Sequence, residues 1–386
     1  SEVRVNNLSN ENNTGGPTIS GITTYSGRHF FVPPQGDTAS RPSDCEPGSL
    51  RFNTDSAHLE YFRGNDIGWV EIEAELTAPL GGGTGSNTGL GTRMVLMGGT
   101  DGSGVVDVIQ FVTISTLGNA QDFGNLTGAK QEGAAASNHL RGIYFGGDPA
   151  LNIIEFVTFA SIGNATDFGD LLNGAKSGTS MSNRTRGVLQ LGGNTSNILE
   201  FITFAQTGNS VDFGDMVLGG NAGSGFSSST RGVYAMGSNN ANYKNNIEFI
   251  TISTTGNAAE FGDLSGLYIH RNAYSNATRG VFHSGYQYPT SPNFSNNIEF
   301  VTIATKGNTV DFGDSLLGGF GCGGSSPTRG VAGGGYFQNA PTGETGGFTN
   351  IIDFVEIATT GNAVDFGDTT NVVRHIKGGS NGHGGL

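Results

Sequence analysis

A pattern of apolar and polar positions repeats six times along the chain. Each copy begins with a run rich in Ile, Val, Phe and Thr, passes through a Gly-Asn pair, and ends in a run that closes on Asp/Glu-Phe-Gly. The runs have the composition of β-strands, and Gly and Asn tolerate the positive φ of tight hairpin turns. Apolar residues occupy both faces of the run from Ile298 to Ile303, which indicates strands buried on both sides. The sequence therefore predicts β-hairpins in sheets that pack against one another.

Two phenylalanines mark every copy, and they are 12 residues apart in each. The leading residues are Phe111, Phe156, Phe201, Phe249, Phe300 and Phe354, and the signature residues are Phe123, Phe168, Phe213, Phe261, Phe312 and Phe366. No insertion separates the two, so the hairpin is the constant part of the repeat. We expect the signature Phe to fill the space between neighbouring sheets, and the Gly after it to allow a bulge or bend.

A repeated arginine, mostly in Thr-Arg-Gly-Val, starts each unit. The six are Arg93, Arg141, Arg186, Arg231, Arg279 and Arg329, at intervals of 48, 45, 45, 48 and 50 residues. Periods of about 40–50 residues with several short strands are typical of β-propellers. The prediction is an all-β protein in which residues 92–386 form a six-bladed β-propeller of four-stranded blades. In the fourth unit the strands are expected near residues 230–237, 246–254, 257–264 and 268–275.

The C-terminal segment Ser380–Leu386 aligns with Ser275–Val281, which opens the fifth unit. The chain thus ends where a further first strand would begin, and we expect its end to meet Thr92 and close the ring. A seven-bladed ring that includes residues 49–73, and a linear solenoid, are the alternatives.

The N-terminal region lacks the repeat. Residues 1–48 are polar and rich in Gly, Pro and Asn, which favours an extended arm. Residues 49–78 contain three short strand-like runs and the single Trp69, which predicts a small β-meander for attachment. Its core would be small, so we expect residues 1–80 to need a partner surface, either the propeller of the same chain or another subunit. Residues 79–91 form a Gly-rich linker, and no Gly-Lys-Ser/Thr follows to make it a phosphate loop.

Composition narrows the classes of function. Of 386 residues 66 are Gly, only 13% are charged, and the net charge is −14. A negative chain is unsuited to nucleic-acid binding, which needs clustered Lys and Arg. No run approaches the roughly 18 apolar residues that span a bilayer, and no secretory signal opens the chain, so membrane insertion is not expected. Two cysteines, Cys45 and Cys322, do not make a disulfide framework.

All large length changes lie between the repeated Arg and the next leading Phe, where the gaps are 18, 15, 15, 18, 21 and 25 residues. Insertions on one rim of a repeat protein are typical of its binding side. The candidate binding residues in the longest loops are Tyr243, Lys244, Tyr286, Tyr288, Phe294, Tyr336, Phe337 and Phe348. Tyr with Asn, Ser and Gly makes an adaptable contact surface. The alternative is that these aromatic side chains only hold the longer loops against the ring.

Catalytic, metal and cofactor sites are not expected. The sixfold Asp-Phe-Gly is a packing element rather than the metal-binding segment of a kinase. Dense Asp-rich calcium loops, zinc-type His/Cys spacing and an evident carboxylate pair of a glycosidase are missing from the sequence. The acids that trail the signature form a repeating set opposite in charge to the arginines: Asp170, Asp215, Asp263, Asp314 and Asp368, with Asn125 as the exception. Our hypothesis is that acids and arginines pair within or between blades.

The repeat resembles the kelch-like propeller repeats of structural proteins of marine bacteriophages, especially cyanophages. The matching strings are Ile298–Thr305, Gly361–Asp368, Thr278–Val281 and Ser380–Leu386. The run from Leu50 to Val70 is similar to a module common in phage tail, neck and fibre proteins. The resemblance implies a component of the virion, in its tail, baseplate, neck or fibre, anchored through residues 1–80 to other virion proteins. We expect a homo-oligomer in the particle. The alternative function is a host-receptor or glycan-binding module, and a polysaccharide-acting enzyme is the least favoured.

Overall fold

A computed structural model describes residues 33–56, 58–72, 92–192, 196–239, 242–289, 294–339 and 345–386. Over these residues the protein is all-β, as predicted, with strands that are antiparallel apart from one short pair and with no helix. No helix in this part of the chain could therefore cross a membrane. Contacts divide the chain into two units, Ser1–Glu75 and Leu76–Leu386. The predicted linker, residues 79–91, and most of the predicted arm, residues 1–32, lie outside the described residues.

The first unit contains one sheet. Its strands are Gln35–Gly36, Leu50–Asn53, His58–Phe62 and Trp69–Ile72. The last three form the predicted meander, and the first adds a short parallel strand from the segment predicted as an arm. Arg41 Nη2 lies 2.7 Å from the buried Glu60 Oε2, and the indole of Trp69 donates to the carbonyl of Pro42 at 2.9 Å. Residues 33–48 thus complete the core of the meander, which the prediction of an arm did not include.

The second unit contains six sheets of one topology, each in the order inner, second, third and outer strand. Inner strands are Lys377–Ser380, Ala134–Ser137, Thr179–Ser182, Ser224–Ser227, Asn272–Ser275 and Cys322–Ser325. Second strands are Arg93–Met97, Arg141–Phe145, Arg186–Gln190, Arg231–Ala235, Arg279–Tyr288 and Arg329–Gly333. Third strands are Val108–Thr113, Leu151–Thr158, Ile198–Thr203, Asn246–Thr251, Phe294–Thr302 and Ile351–Glu356. Outer strands are Gln121–Asn125, Thr166–Ala175, Val211–Asp215, Ala259–Asp263, Val310–Asp314 and Val364–Asp368.

Five further strands are described in the second unit. Two pairs extend loops between second and third strands, and one single strand lies just before an inner strand. They are the pairs Ser238–Asn239 with Asn242–Tyr243 and Tyr336–Asn339 with Thr345–Phe348, and the strand Leu267–Ile269, which pairs with the end of Arg279–Tyr288.

The prediction assigned the inner strand of each sheet to the preceding unit, and this grouping is wrong by one strand. Residues 268–275 were expected to complete the fourth unit, but Asn272–Ser275 pairs with Arg279–Tyr288 and so opens the fifth sheet. The reason is the tight turn between them, where Asn276 Oδ1 accepts the backbone N–H of Thr278 at 3.0 Å and of Arg279 at 2.8 Å. Such an Asx turn makes two adjacent strands a hairpin.

The last inner strand joins the two ends of the second unit. Lys377–Ser380 pairs antiparallel with Arg93–Met97, with Ser380 opposite Met94. Asn381 Oδ1 accepts the N–H of Arg93 at 2.8 Å, as Asn276 does for Arg279 within a continuous hairpin. The prediction that the chain end meets the region of Thr92 is confirmed.

Six apolar clusters lie between successive sheets, and each contains one signature Phe. The cluster that joins the sixth sheet to the first packs Met94 and Leu96 against Val331, Ile352 and Phe366. The signature residues are at most 3% exposed, and each meets the leading Phe of its own sheet edge-on at 5.8–6.1 Å. The expectation that the signature Phe fills the space between sheets is confirmed. Burial on both faces is confirmed for the third strands, whereas the outer strands bury mainly the signature Phe and expose their first residues.

The hairpin turn lies before the Gly-Asn pair, where Thr359 N–H donates to Glu356 O at 3.2 Å, so the prediction that Gly-Asn forms this turn is wrong. The Gly-Asn pair of each sheet instead docks on the Asp/Glu-Phe-Gly signature of the sheet before it. Gly361 N–H donates to Phe312 O at 2.8 Å, and Asn362 Oδ1 accepts the N–H of Asp314 at 3.0 Å. Gly313 sits between these contacts with φ +149°, opposite an irregularity in the ladder, so the predicted bulge is confirmed. The same pair of hydrogen bonds recurs at every boundary between sheets. At the last boundary, Gly118 of the first sheet donates to Phe366 O of the sixth.

The repeated arginines do not pair with the trailing acids, so that hypothesis is wrong. The guanidinium of Arg279 lies 4.6 Å from the centre of the Phe300 ring and donates to the carbonyl of Ala358 in the next sheet at 2.9 Å. The other five arginines likewise stack on their own leading Phe and donate to a carbonyl of the next sheet. A planar guanidinium can stack on a ring while its N–H groups bind carbonyls, so no carboxylate is needed.

Candidate functional site

A sixfold set of buried polar residues fixes the connections between sheets. These residues directly precede the leading Phe: Gln110, Glu155, Glu200, Glu248, Glu299 and Asp353. Each accepts a backbone N–H of the preceding sheet, from within its outer strand in the case of Leu172 and Glu200, and from the residues just after that strand in the others. Their basic partners are Lys130 for Glu155 at 2.8 Å, Arg271 for Glu299 and His283 for Asp353 at 3.0 Å. Burial raises the pKa of Glu248, which has backbone donors only. These carboxyl groups are structural, and sequence reasoning missed them although their position before each leading Phe is constant.

The inner strands contact one another in order, and the last contacts the first. Their final residues form a ring of serines: Ser137, Ser182, Ser227, Ser275, Ser325 and Ser380. Within it Ser182 Oγ donates to Ser137 O at 2.9 Å, and Ser137 Oγ donates to Ser380 O at 2.9 Å. The sequence carries a signal that we missed, because each serine stands four residues before the repeated Arg, and Ser380 stands four before Gly384.

The ring of six inner strands surrounds a central axis. The C-terminal residues cover the end of this axis at which the serines lie, here named the tail face. His383 Nε2 lies 2.8 Å from Ser137 O, and Gly384 N–H donates to Ser275 O at 2.9 Å. A cavity of about 60 Å³ lies beside His383 and is lined by the serine ring. Burial lowers the pKa of His383 to about 4.

This histidine predicts a pH dependence of stability. The unfolded chain takes up the proton near the ordinary pKa of about 6.5, and the folded chain only near pH 4. Stability is therefore complete above about pH 6.5 and falls as the pH drops toward 4, by up to roughly 3 kcal/mol for His383. Thermal unfolding between pH 7.5 and 4 should show a flatter dependence of stability on pH for His383→Gln than for the wild type. Equal slopes for the wild type and His383→Gln would contradict the assignment.

The other end of the axis is bounded by six residues with positive φ, here named the rim: Glu132, Ser177, Ala222, His270, Phe320 and His375. Their backbones form a closed hydrogen-bonded ring, in which His270 N–H donates to Ala222 O at 2.8 Å and the last link joins Glu132 N–H to His375 O at 3.3 Å. Positive φ is unfavourable for residues other than Gly, and this ring of hydrogen bonds holds all six in it. The loops between second and third strands lie at the same end of each sheet, as the pairing of Ala235 with Ser224 shows. This end is the loop face.

A second cavity of about 70 Å³ lies on the axis next to the rim. Its lining includes Arg271, Lys377, Thr179, Ser224 and Cys322. Burial raises the pKa of Cys322 to about 12, which leaves an unreactive thiol. Both cysteines are free, as expected.

Four of the predicted binding residues form one aromatic cluster on the loop face. Phe294 stacks on Tyr336 at 5.0 Å and meets Tyr286 edge-on at 5.6 Å, and Tyr336 meets Phe348 at 5.4 Å. The cluster is half-buried and also contacts Phe320 of the rim. These rings therefore hold the longer loops against the sheets, which was the alternative interpretation, and still present part of their surface to solvent.

Tyr243 and Tyr288 form a separate pair. Their rings stack at 4.5 Å with planes 18° apart, and Tyr288 is 47% exposed. The two residues come from loops of different sheets, so the pair was not evident from sequence spacing. Lys244 is half-buried, with its backbone N–H on Gly237 O, and the side chain of Phe337 lies outside the described residues.

The described residues contain no group of His, Cys, Asp and Glu arranged to hold a metal ion. A comparison with protein-family models gives no match to this chain, and a comparison with curated proteins finds none either.

Proposed function

We propose that residues 92–386 form a six-bladed β-propeller and that the protein is a structural component of a phage virion, in the tail, baseplate, neck or fibre. Cyclic order supports the propeller, because inner strands, apolar clusters and Gly-Asn contacts each run through six boundaries and return to the first sheet. Since the last sheet already meets the first, a seventh blade from residues 49–73 is not part of the proposal.

The observation that carries the contact role is the partly exposed aromatic surface on the loop face. The repeated Arg, the buried carboxyl groups and the signature Phe are all engaged inside the second unit. The aromatic side chains of the variable loops pack on one another but keep part of their surface exposed, and rigid rings bind at a low cost in conformational entropy. We propose that this face contacts protein or a host surface, while residues 1–80 attach to other virion proteins of a homo-oligomeric assembly.

A cryo-EM map of the particle that contains this chain tests the proposal. We expect residues 1–80 to lie between other virion proteins, with the loop face directed outward. Absence of the chain from purified particles would refute the structural role. A loop face buried against neighbouring virion proteins would instead make the variable loops assembly contacts.

A receptor- or glycan-binding module is the second candidate, and the partly exposed Tyr243–Tyr288 stack favours it because flat aromatic surfaces contact ligands well. We expect a double variant, Tyr243→Ala with Tyr288→Ala, to reduce adsorption to host cells at least about tenfold, equivalent to roughly 1.4 kcal/mol, at unchanged particle yield. Val310→Ala, which alters an exposed residue of an outer strand, is the control. Normal adsorption of the double variant would exclude this pair, and loss of intact particles would indicate an assembly contact.

A further inference from the structure

One inner-strand position differs in chemistry from its five counterparts. The first residues of the inner strands are Ala134, Thr179, Ser224, Asn272, Cys322 and Lys377. Five are small or neutral, whereas Lys377 brings an ammonium group into the axial cavity next to the rim. No hydrogen bond or ion pair to Lys377 Nζ exists within the described residues.

The Lys377 side chain is half-buried beside the cavity, and its ammonium has no acceptor among the described residues. It carries three donors, and a charge taken partly out of water gains from an acceptor of opposite charge. Burial lowers the pKa of Lys377, and Glu132 is the acid that counteracts this. The Glu132 carboxylate is nevertheless engaged elsewhere, because it accepts from Ser177 Oγ at 2.7 Å and lies 3.3 Å from His375 Nδ1.

The remaining charged and titratable groups around the cavity do not supply an acceptor. Arg271 is a cation already bound to Glu299. Burial lowers the pKa values of His270 and His375, the latter to about 4, so both rings are neutral at pH 7. Among the residues that line this cavity, Lys377 is thus the only positive charge without a bound carboxylate.

The cavity has the size of a small oxyanion. A water needs about 10–15 Å³ of this kind of volume, so 70 Å³ corresponds to roughly five water-sized positions. A carboxylate, phosphate or sulfate group has three to five heavy atoms. The hydroxyl of Thr179, which also lines the cavity, makes no hydrogen bond within the described residues and can act as a second donor.

We propose that the axial cavity next to the rim binds a small oxyanion, namely a carboxylate, phosphate or sulfate group, with Lys377 Nζ as its principal donor. Lys377 belongs to the inner strand that joins the chain ends, and this strand contacts the inner strands on both sides. The bound oxyanion therefore stabilises the closure of the second unit.

Thermal unfolding of the full chain at pH 7.5 provides the test, with sulfate, phosphate or acetate compared with chloride at equal ionic strength. We expect a saturable rise in Tm of about 5 °C for the wild type at a hundredfold excess over the dissociation constant. Lys377→Met, which keeps the chain length without the charge, should bind at least about tenfold more weakly. Lys176→Met, at an exposed lysine next to the rim that pairs with Asp148, should respond like the wild type. If sulfate or phosphate raises Tm at a lower concentration than acetate, the site prefers a tetrahedral group, and the reverse order indicates a carboxylate.

A wild type that responds to oxyanions no more than to chloride would overturn the proposal, and so would a full response in Lys377→Met. Wild-type crystals soaked in selenate provide a second measurement that does not depend on folding of the variant. We expect an anomalous peak beside Lys377 Nζ, and an axial cavity that holds only water would refute the site.

Discussion

A variant that lacks Lys377–Leu386 is expected to lose cooperative folding of the second unit. The deletion leaves Arg93–Met97, whose five residues are all buried, as an unpaired edge. It also removes Ser380 from the serine ring, and the N–H of Arg93 loses its acceptor, Asn381 Oδ1. The cost should exceed about 5 kcal/mol, which is comparable to the whole stability of an ordinary domain.

Circular dichroism on heating and limited proteolysis would measure this loss. Addition of a synthetic peptide with the sequence of Lys377–Leu386 should restore protection, since the strand supplies backbone and side-chain hydrogen bonds without a covalent requirement, and a scrambled peptide should not. A truncated chain with the wild-type Tm would show that the terminal strand does not hold the ends together.

Gly313→Ala should destabilise the second unit by about 3 kcal/mol. A Cβ at this position would lie 2.4 Å from the carbonyl oxygen of Gly361, and the backbone φ of +149° is unfavourable for an L-residue. The clash cannot relax easily, because the Gly361 backbone is itself hydrogen-bonded to Phe312.

Gly361→Ala is the matched control for this prediction. It alters the other glycine of the same contact, where a Cβ would meet nothing within 4 Å. Urea unfolding should therefore show a large shift of the midpoint for Gly313→Ala and little change for Gly361→Ala. Equal effects of the two substitutions would mean that the signature glycine does not determine the contact between sheets.

The hairpins and the meeting of the chain ends could be predicted from sequence because they depend on local chemistry and on period. The runs rich in Ile, Val and Phe specify strands, and the constant spacing from Phe300 to Phe312 reflects a hairpin of fixed length, although its turn lies before the Gly-Asn pair and not in it. The alignment of Ser380 with Ser275 also indicated that the chain end meets the first unit, because it follows the same period.

The partners of charged residues could not be predicted in this way. Arg279 has an acid at a repeated distance in the sequence, yet its guanidinium binds the ring of Phe300 and the carbonyl of Ala358, 79 residues away. The loop aromatics were found, but the pairing of Tyr243 with Tyr288 depends on two loops that approach only in the folded chain.

The sequence by itself thus determined the strands, the hairpins and the sixfold repeat, because each depends on residues near one another along the chain. Only the tertiary structure decided which groups lie on the axis, where Lys377 shares one cavity with Thr179 and Arg271. In the sequence Lys377 is a single lysine in a Gly-rich tail. It becomes a half-buried charge without a protein acceptor only when strands from six sheets are brought together, since the burial that lowers its pKa comes from residues distant in sequence.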